Sequence, residues 1–350
     1  MIKLTKLRQN IFSIFLQDDG LQSSDVHNAL LANGEKISLV SVKRNLSEMT
    51  RLGVLNTQGG GRSTSYQTTT LGRIIADIEP EEYVETEPDK RYGMANYNFN
   101  LFAEFPTEIF DVNEKNLLES ATAEYQNRLE NISPTIREKE LQRLVIELAW
   151  KSSKIEGNTY TLLDTEKLIL ENKEAPGHDK NEARMILNHK DAFNFIRENA
   201  KDYKTLTLAN MEKIHSILVK DLGVDTGLRD TMVGVTGSKY KPLDNIYQIK
   251  EAVSSLSGAI SKAKDPYTKA ILALAGVSYI QPFEDGNKRT GRLMANALLL
   301  SHKCSPLSYR SVEEKDYRGA ILVFYEVNSM VPLKNIFIGQ YLFAAKNYAV

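Results

Sequence analysis

Residues 267–280 are apolar almost all round a helical wheel, and a helix without a polar face has to be packed on every side by other elements. Pro282 disfavours a helical backbone at Gln281, so this helix ends there. Residues 289–301 are helical again, with Leu293, Ala297 and Leu300 on one line and Met294 and Leu298 beside it. A buried helix, a short loop and a second helix imply a mainly α-helical body. The loop brings a Gly286-Asn287 turn to the start of the second helix, where free N–H groups and the positive dipole end bind phosphate. Arg289 and Arg292 are three apart, hence on one helical face, and add two guanidinium forks. Asp285, just before the turn, is placed to hold a Mg²⁺ bridging the same phosphates.

A chain of 350 residues exceeds what one core normally serves, so two or three domains are expected. An apolar content of 42% excludes disorder throughout. Cys304 is the single cysteine, which rules out an internal disulfide and favours a reducing, cytoplasmic setting. No apolar run approaches the ~20 residues of a membrane span, and no signal peptide is visible. The formal net charge of -1 conceals unlike parts. Residues 1–76 carry nine basic residues against five acidic, residues 77–91 carry seven acidic against two basic, and the remainder is balanced.

The basic part reads as three helices and a hairpin. Leu7, Ile11, Ile14 and Phe15 fall at helical spacing, and Ser23 or Ser24 can cap a second helix through Val26, Leu30 and Leu31. A third helix starts near Ser38 or Ser41 and puts Val42, Leu46, Met49 and Leu52 on one face, with Lys43, Arg44, Ser47, Thr50 and Arg51 opposite. Residues 54–58 and 63–68 are strand-like runs joined by Gly59-Gly60-Gly61-Arg62. This order resembles a winged helix-turn-helix domain over residues 1–76. The resemblance implies double-stranded DNA as a partner, with Lys43, Arg44, Ser47 and Arg51 on the recognition helix and Arg62 on the wing. Docking of another protein is the alternative use of such a module. Residues 77–99, acidic and holding Pro80 and Pro88, read as a linker.

The loop resembles the signature of the Fic (Fido) family, H-x-F-x-[DE]-G-N-[GK]-R-x-x-R, with Phe283, Asp285, Gly286, Asn287, Lys288, Arg289 and Arg292 all in place. His215 within residues 211–218, Gly227-Leu228-Arg229 and residues 233–242 are similar to the helix and β-hairpin flap that precede the loop in that family. The resemblance covers roughly residues 100–350 and implies an all-α core with a small β-hairpin flap, closed by helices over residues 317–327 and 333–345. It implies ATP and Mg²⁺ as ligands and transfer of AMP to a Ser, Thr or Tyr hydroxyl of a protein, the chain itself included. Asp285 would bind the metal, Asn287 and Arg289 the α- and β-phosphates and Arg292 the γ-phosphate, while Phe283 would anchor the loop. Gly237, Ser238, Lys239 and Tyr240 of the flap would align the target by strand addition.

Gln281 stands where the family has its histidine, the general base for the attacking hydroxyl. A glutamine amide has no basic lone pair near neutral pH, and a lost base lowers the rate about 10²–10⁴-fold. His215 reads as a core histidine rather than a substitute. Lys288, in place of the commoner glycine, resembles the Doc branch that transfers phosphate; it reads equally well as a solvated surface lysine. Ser152, Glu156 and Gly157 resemble the family's inhibitory motif, [ST]-x-x-x-E-[GN], at the end of a helix over about residues 137–157. The resemblance implies that Glu156 pairs with Arg292 and takes the γ-phosphate position. Three functions follow: a braked and weakened adenylyltransferase, a non-enzymatic nucleotide-sensing DNA-binding regulator, or a Doc-like phosphotransferase. A homodimer is compatible with all three.

Overall fold

The computed structural model describes residues 4–350, and the side chain of Arg62, the wing cation of the sequence reading, lies outside the described residues. The chain divides into two units. One takes the chain through Pro106 together with Val235–Tyr240 and Gly319–Pro332; the other comprises Thr107–Gly234, Lys241–Arg318 and Leu333–Val350.

The first unit opens with α1 (Lys6–Gln17), the short strand β1 (Leu21–Gln22), α2 (Ser23–Ala32) and α3 (Leu39–Arg51). Strands β2 (Leu55–Gln58) and β3 (Ser65–Thr68) follow, then α4 (Thr70–Ile74) and α5 (Pro80–Glu85). The sheet order is β1-β3-β2, antiparallel, with Leu21 opposite Tyr66 and Asn56 opposite Gln67. Ile11, Phe12, Phe15, Val26, Leu30, Val42, Leu46 and Met49 are buried together as the apolar stripes of the three helices require. The start of α2 differs from expectation: the helix begins at Ser23, and Asp25 Oδ2 accepts the N–H of Gln22 at 2.9 Å, so an aspartate reaching back replaces a serine cap. Ser38 does cap α3, accepting from the Ser41 N–H at 3.3 Å.

Residues 77–99, expected as a linker, are folded into this unit. Tyr83 on α5 is buried, and its hydroxyl shares its one proton between the Tyr92 carbonyl at 2.7 Å and Glu326 Oε2 at 2.8 Å. Arg91, also buried, donates from Nη1 to Glu326 Oε1 at 3.3 Å. Charge counting hides these anchors, because the acidic residues of the stretch face outward and two of them, Glu81 and Glu82, sit in the first turn of α5 where the dipole favours them. The β-hairpin expected over residues 233–242 is likewise corrected: among the described residues the paired strands β1 to β3 all lie within residues 21–68, and in the flap stretch residues 236–237 turn and only Lys241 makes an isolated β-bridge. Ser238 N–H donates to the Val235 carbonyl at 3.2 Å, and Gly237 takes a positive φ of 76°. Side chains tie this turn in place: Arg91 Nη1 donates to the Gly237 carbonyl at 2.9 Å, and Ser238 Oγ accepts the Tyr240 N–H at 3.1 Å while donating to Glu326 Oε1 at 2.6 Å.

The second unit is built from α6 (Val112–Asn131), α7 (Pro134–Ile155), α8 (Leu162–Glu171), α9 (Lys180–Glu198), α10 (Leu208–Leu218), α11 (Ile246–Lys262), α12 (Pro266–Ile280) and α13 (Asn287–Ser301). Two closing helices, α14 (Glu314–Val327) and α15 (Val331–Asn347), contribute residues to both units. Helix α12 starts cleanly because Asp265 Oδ1 accepts the Thr268 N–H at 2.7 Å and Pro266 occupies the first turn. Residues 270–280 are buried, as the all-round apolar wheel requires. Glycines let the central helices approach: a Cβ at Gly291 of α13 would lie 2.8 Å from the Leu274 carbonyl of α12. Helix α7 starts at Pro134, with Ser133 Oγ accepting the Ile136 N–H at 3.3 Å.

Candidate active site

The loop between α12 and α13 is held by its own side chains. Gln281 ends α12 in the left-handed region at φ 51°, and Gly286 stands before α13 at φ 77°. Asn287 closes the loop reciprocally: its Oδ1 accepts the Phe283 N–H and its Nδ2 donates to the Phe283 carbonyl, each at 2.8 Å. Phe283 is fully buried and stacks on His215 at 3.7 Å between ring centroids. His215 Nε2 donates to the Asp285 carbonyl at 3.0 Å, which sets the tautomer, and burial holds the imidazole down at about 4. It is a neutral buttress, in keeping with the core reading of the sequence.

Arg229 is a site residue to which the sequence reading gave no role. Its guanidinium donates to the carbonyls of Gln281 at 2.6 Å, Thr231 at 2.6 Å and Leu243 at 2.5 Å, and its own N–H donates to the Pro282 carbonyl at 3.0 Å. A buried arginine that donates to these carbonyls shapes the loop, and only the Gly227-Leu228-Arg229 triplet hinted at it.

Three cations leave the first turn and a half of α13. Arg289, 2% exposed, donates from Nη2 to Asp285 Oδ2 at 2.9 Å, while the Asp285 side chain is 65% exposed. Arg292 is fully buried and donates from Nε to Ser152 Oγ and from Nη2 to the Ser152 carbonyl, each at 2.9 Å. The same Nη2 reaches Glu156 Oε1 at 2.8 Å, and the guanidinium lies 5.5 Å from the Tyr317 ring centroid. Lys288 Nζ donates to the other carboxylate oxygen, Glu156 Oε2, at 2.8 Å. Glu156 is delivered by the C-terminal end of α7, and Gly157 follows at φ 99°, a conformation suited to glycine. Burial pushes the Glu156 carboxyl upward, but Arg292 and Lys288 outweigh it and hold the group at about 2. The sequence-derived set of Ser152, Glu156, Asp285, Asn287, Lys288, Arg289 and Arg292 therefore converges, although Lys288 faces the carboxylate rather than open solvent.

Gln281 is 8% exposed, and its Nε2 donates to the Ser278 carbonyl at 2.6 Å, so the amide is turned back onto the end of α12. His189 on α9, absent from the sequence-derived set, is fully buried with neither ring nitrogen partnered. Burial, then the charges of Arg292 and Arg289, depress it to about 3. Its only sequence signal is its place among the apolar positions of that helix. Among the described residues no group of three or more His, Cys, Asp or Glu side chains is arranged to hold a metal ion. No helix is long and apolar enough to cross a membrane, among the described residues.

On the first unit, Lys43, Arg44 and Ser47 are exposed along one face of α3. Arg51 shares that face but is spent on Glu48, with Nε at 2.9 Å and Nη2 at 2.6 Å from its carboxylate oxygens. Gly237, Ser238, Lys239 and Tyr240 lie in the turn described above, where Lys239 Nζ donates to the Arg91 carbonyl and Tyr240 is buried.

Residues 205–299, which contain the loop, match the model of the Fic/DOC family. The chain carries a Fic/DOC domain. Residues 1–73 match the Ferric uptake regulator family, so a winged-helix-type domain precedes it. Among curated proteins, the chain is similar to the Protein adenylyltransferase fic-1 of Caenorhabditis briggsae, 26% identical over 176 residues, 48% of this chain and 34% of that one. The Protein adenylyltransferase Fic of Nematostella vectensis is 27% identical over 179 residues, 48% of this chain and 40% of that one. The matched region thus spans about a third to two fifths of these relatives. Among solved structures, a Fic family protein from Desulfovibrio desulfuricans G20 shares the fold with a TM-score of 0.57 and 20% identity, covering 69% of this chain and 75% of that chain. A Fic domain containing signaling protein from Bacteroides thetaiotaomicron does so at 0.56 and 18%, covering 66% and 94%.

Proposed function

We propose that the Fic/DOC domain is a protein adenylyltransferase site that Glu156 keeps locked and that lacks its proton acceptor, in a chain whose N-terminal unit binds double-stranded DNA. The observation that carries this reading is the Glu156 carboxylate seated on Arg292 and Lys288 at the start of α13. Helix N-termini attract phosphate, and a carboxylate there takes the place of one. The relatives named as adenylyltransferases support ATP as the nucleotide.

With ATP bound, the first-turn N–H groups of α13, Asn287 and Arg289 hold the α- and β-phosphates, and Arg292 holds the γ-phosphate once Glu156 withdraws. Asp285 fits Mg²⁺ as a partner because one exposed carboxylate is what this ion commonly takes beside phosphate oxygens. The ion, when bound, neutralises charge on the phosphates. The Gly237 carbonyl and the Ser238 and Tyr240 N–H groups are already taken within their turn, so the strand-addition role that the resemblance implied for residues 237–240 is not carried over; the attacking group is a Ser, Thr or Tyr hydroxyl of the target. At Gln281 the amide orients a hydroxyl but takes no proton, which lowers the rate about 10²–10⁴-fold. The test is a Gln281→His, Glu156→Gly double variant given α-labelled ATP and Mg²⁺. Histidine suits the left-handed backbone at this position. Label should appear on the protein or on a lysate protein, and a folded variant that transfers none sinks the reading. Label from γ-labelled ATP instead would identify a Doc-like phosphotransferase.

The inward-turned Gln281 amide favours a second reading, in which the domain senses nucleotide and regulates DNA binding without turnover. A gel shift of the full chain on its own upstream DNA, with and without ATP, decides: binding that ATP does not alter removes this alternative.

A further inference from the structure

Lys288 sits four residues before Arg292, so two like charges share one helix face and repel. They also stand at a helix N-terminus, where the dipole disfavours cations. An anion between them offsets this repulsion, and Glu156 fills that place with one oxygen on each cation. A single carboxylate charge leaves the pair one positive charge in excess. The other nearby carboxylate, Asp285, is taken by Arg289. Resting on the reading of Glu156 as a brake, we propose that Lys288 is a second clamp on it and, once Glu156 is displaced, the second cation of a pocket that selects a doubly charged terminal phosphate. With Glu156 held at about 2, acidification within the ordinary range does not open the clamp, and a competing anion does.

The clamp makes Lys288 a specificity residue. A terminal phosphate carrying two charges balances both cations, whereas a phosphodiester or a carboxylate balances one. The probe is inorganic pyrophosphate, titrated calorimetrically into the full chain as wild type, Glu156→Ala, Glu156→Ala/Lys288→Met and Glu156→Ala/Lys288→Arg. The Lys288 side chain is 35% exposed, so methionine is accommodated there without disturbing the core. Glu156→Ala should bind pyrophosphate at least tenfold more tightly than wild type, because the internal competitor is gone. Adding Lys288→Met should remove about tenfold of that affinity, the worth of one charge-assisted hydrogen bond, and Lys288→Arg should restore most of it. Equal affinity of Glu156→Ala with and without Lys288→Met overturns the proposal and leaves Lys288 a surface lysine. The result is separable from the adenylyltransferase reading. Lys288-dependent binding without AMP transfer by the double variant keeps the clamp and removes the enzyme, whereas AMP transfer with Lys288-independent binding does the reverse.

Discussion

Replacing Glu156 by glutamine keeps its volume and removes its charge, which isolates the electrostatic part of the lock. A carboxyl held near 2 instead of its ordinary 4.5 is favoured in its ionised form by about 3 kcal/mol. Breaking one side of a buried pair costs about 3–5 kcal/mol when the surviving charge is stranded. Here Arg292 keeps both hydrogen bonds to Ser152, the half-exposed Lys288 regains water, and the glutamine oxygen still accepts one bond. The net loss therefore falls below that range, at about 2–3 kcal/mol. For a chain of this size that lowers Tm by about 4 °C. Scanning calorimetry of wild type against Glu156→Gln at pH 7 reads it. The sign with pH follows from a folded-state value below the unfolded one: the contribution is complete above 4.5 and is lost as pH falls towards 2. The difference between the two proteins should be flat from pH 6 to 8 and shrink below pH 4.5. Equal Tm values at pH 7, or a gap that widens on acidification, would refute the electrostatic account of the lock.

Two further outcomes are expected. On α3, Lys43→Ala and Arg44→Ala in the full chain should each weaken DNA binding and reduce its salt slope by about one, whereas Arg51→Ala should change it less because Glu48 already neutralises Arg51; equal effects of all three in a salt titration would contradict the pairing. His189 is held near 3, so between 6.5 and 3 the unfolded chain binds a proton that the folded one refuses, and stability falls as pH drops. His189→Phe should abolish about 2 kcal/mol of the loss between pH 7 and 5, measured from urea midpoints; an unchanged loss would place the proton elsewhere.

Local spacing carried much of the fold. The apolar wheel of α12, the proline after it and the periodicity of α13 are short-range properties, and each follows from chain geometry within a few residues. The same holds for the three helices of the winged domain and for the end of α7 at Glu156. Strand β1 was not legible because two residues carry no alternation to detect. Nor was the folding of residues 77–99, since Tyr83 and Arg91 are anchored by Glu326, 243 and 235 positions away. The flap stretch misread as a hairpin follows the same rule, because its turn is tied by Arg91 and Glu326 rather than by its own alternation.

At the site, the amino-acid order by itself determined which groups are available: an Asn at a helix start, cations on one face of that helix, a glutamine where a base would act and a carboxylate at the end of another helix. Only the tertiary structure decided how their charges are spent. Lys288 meets Glu156 across 132 positions, Arg229 donates to the Gln281 carbonyl across 52 and the ring nitrogens of His189 are sealed without a hydrogen bond. The physical reason is that side-chain charge is a property of composition, while its partner, its burial and therefore its titration depend on which helices pack together.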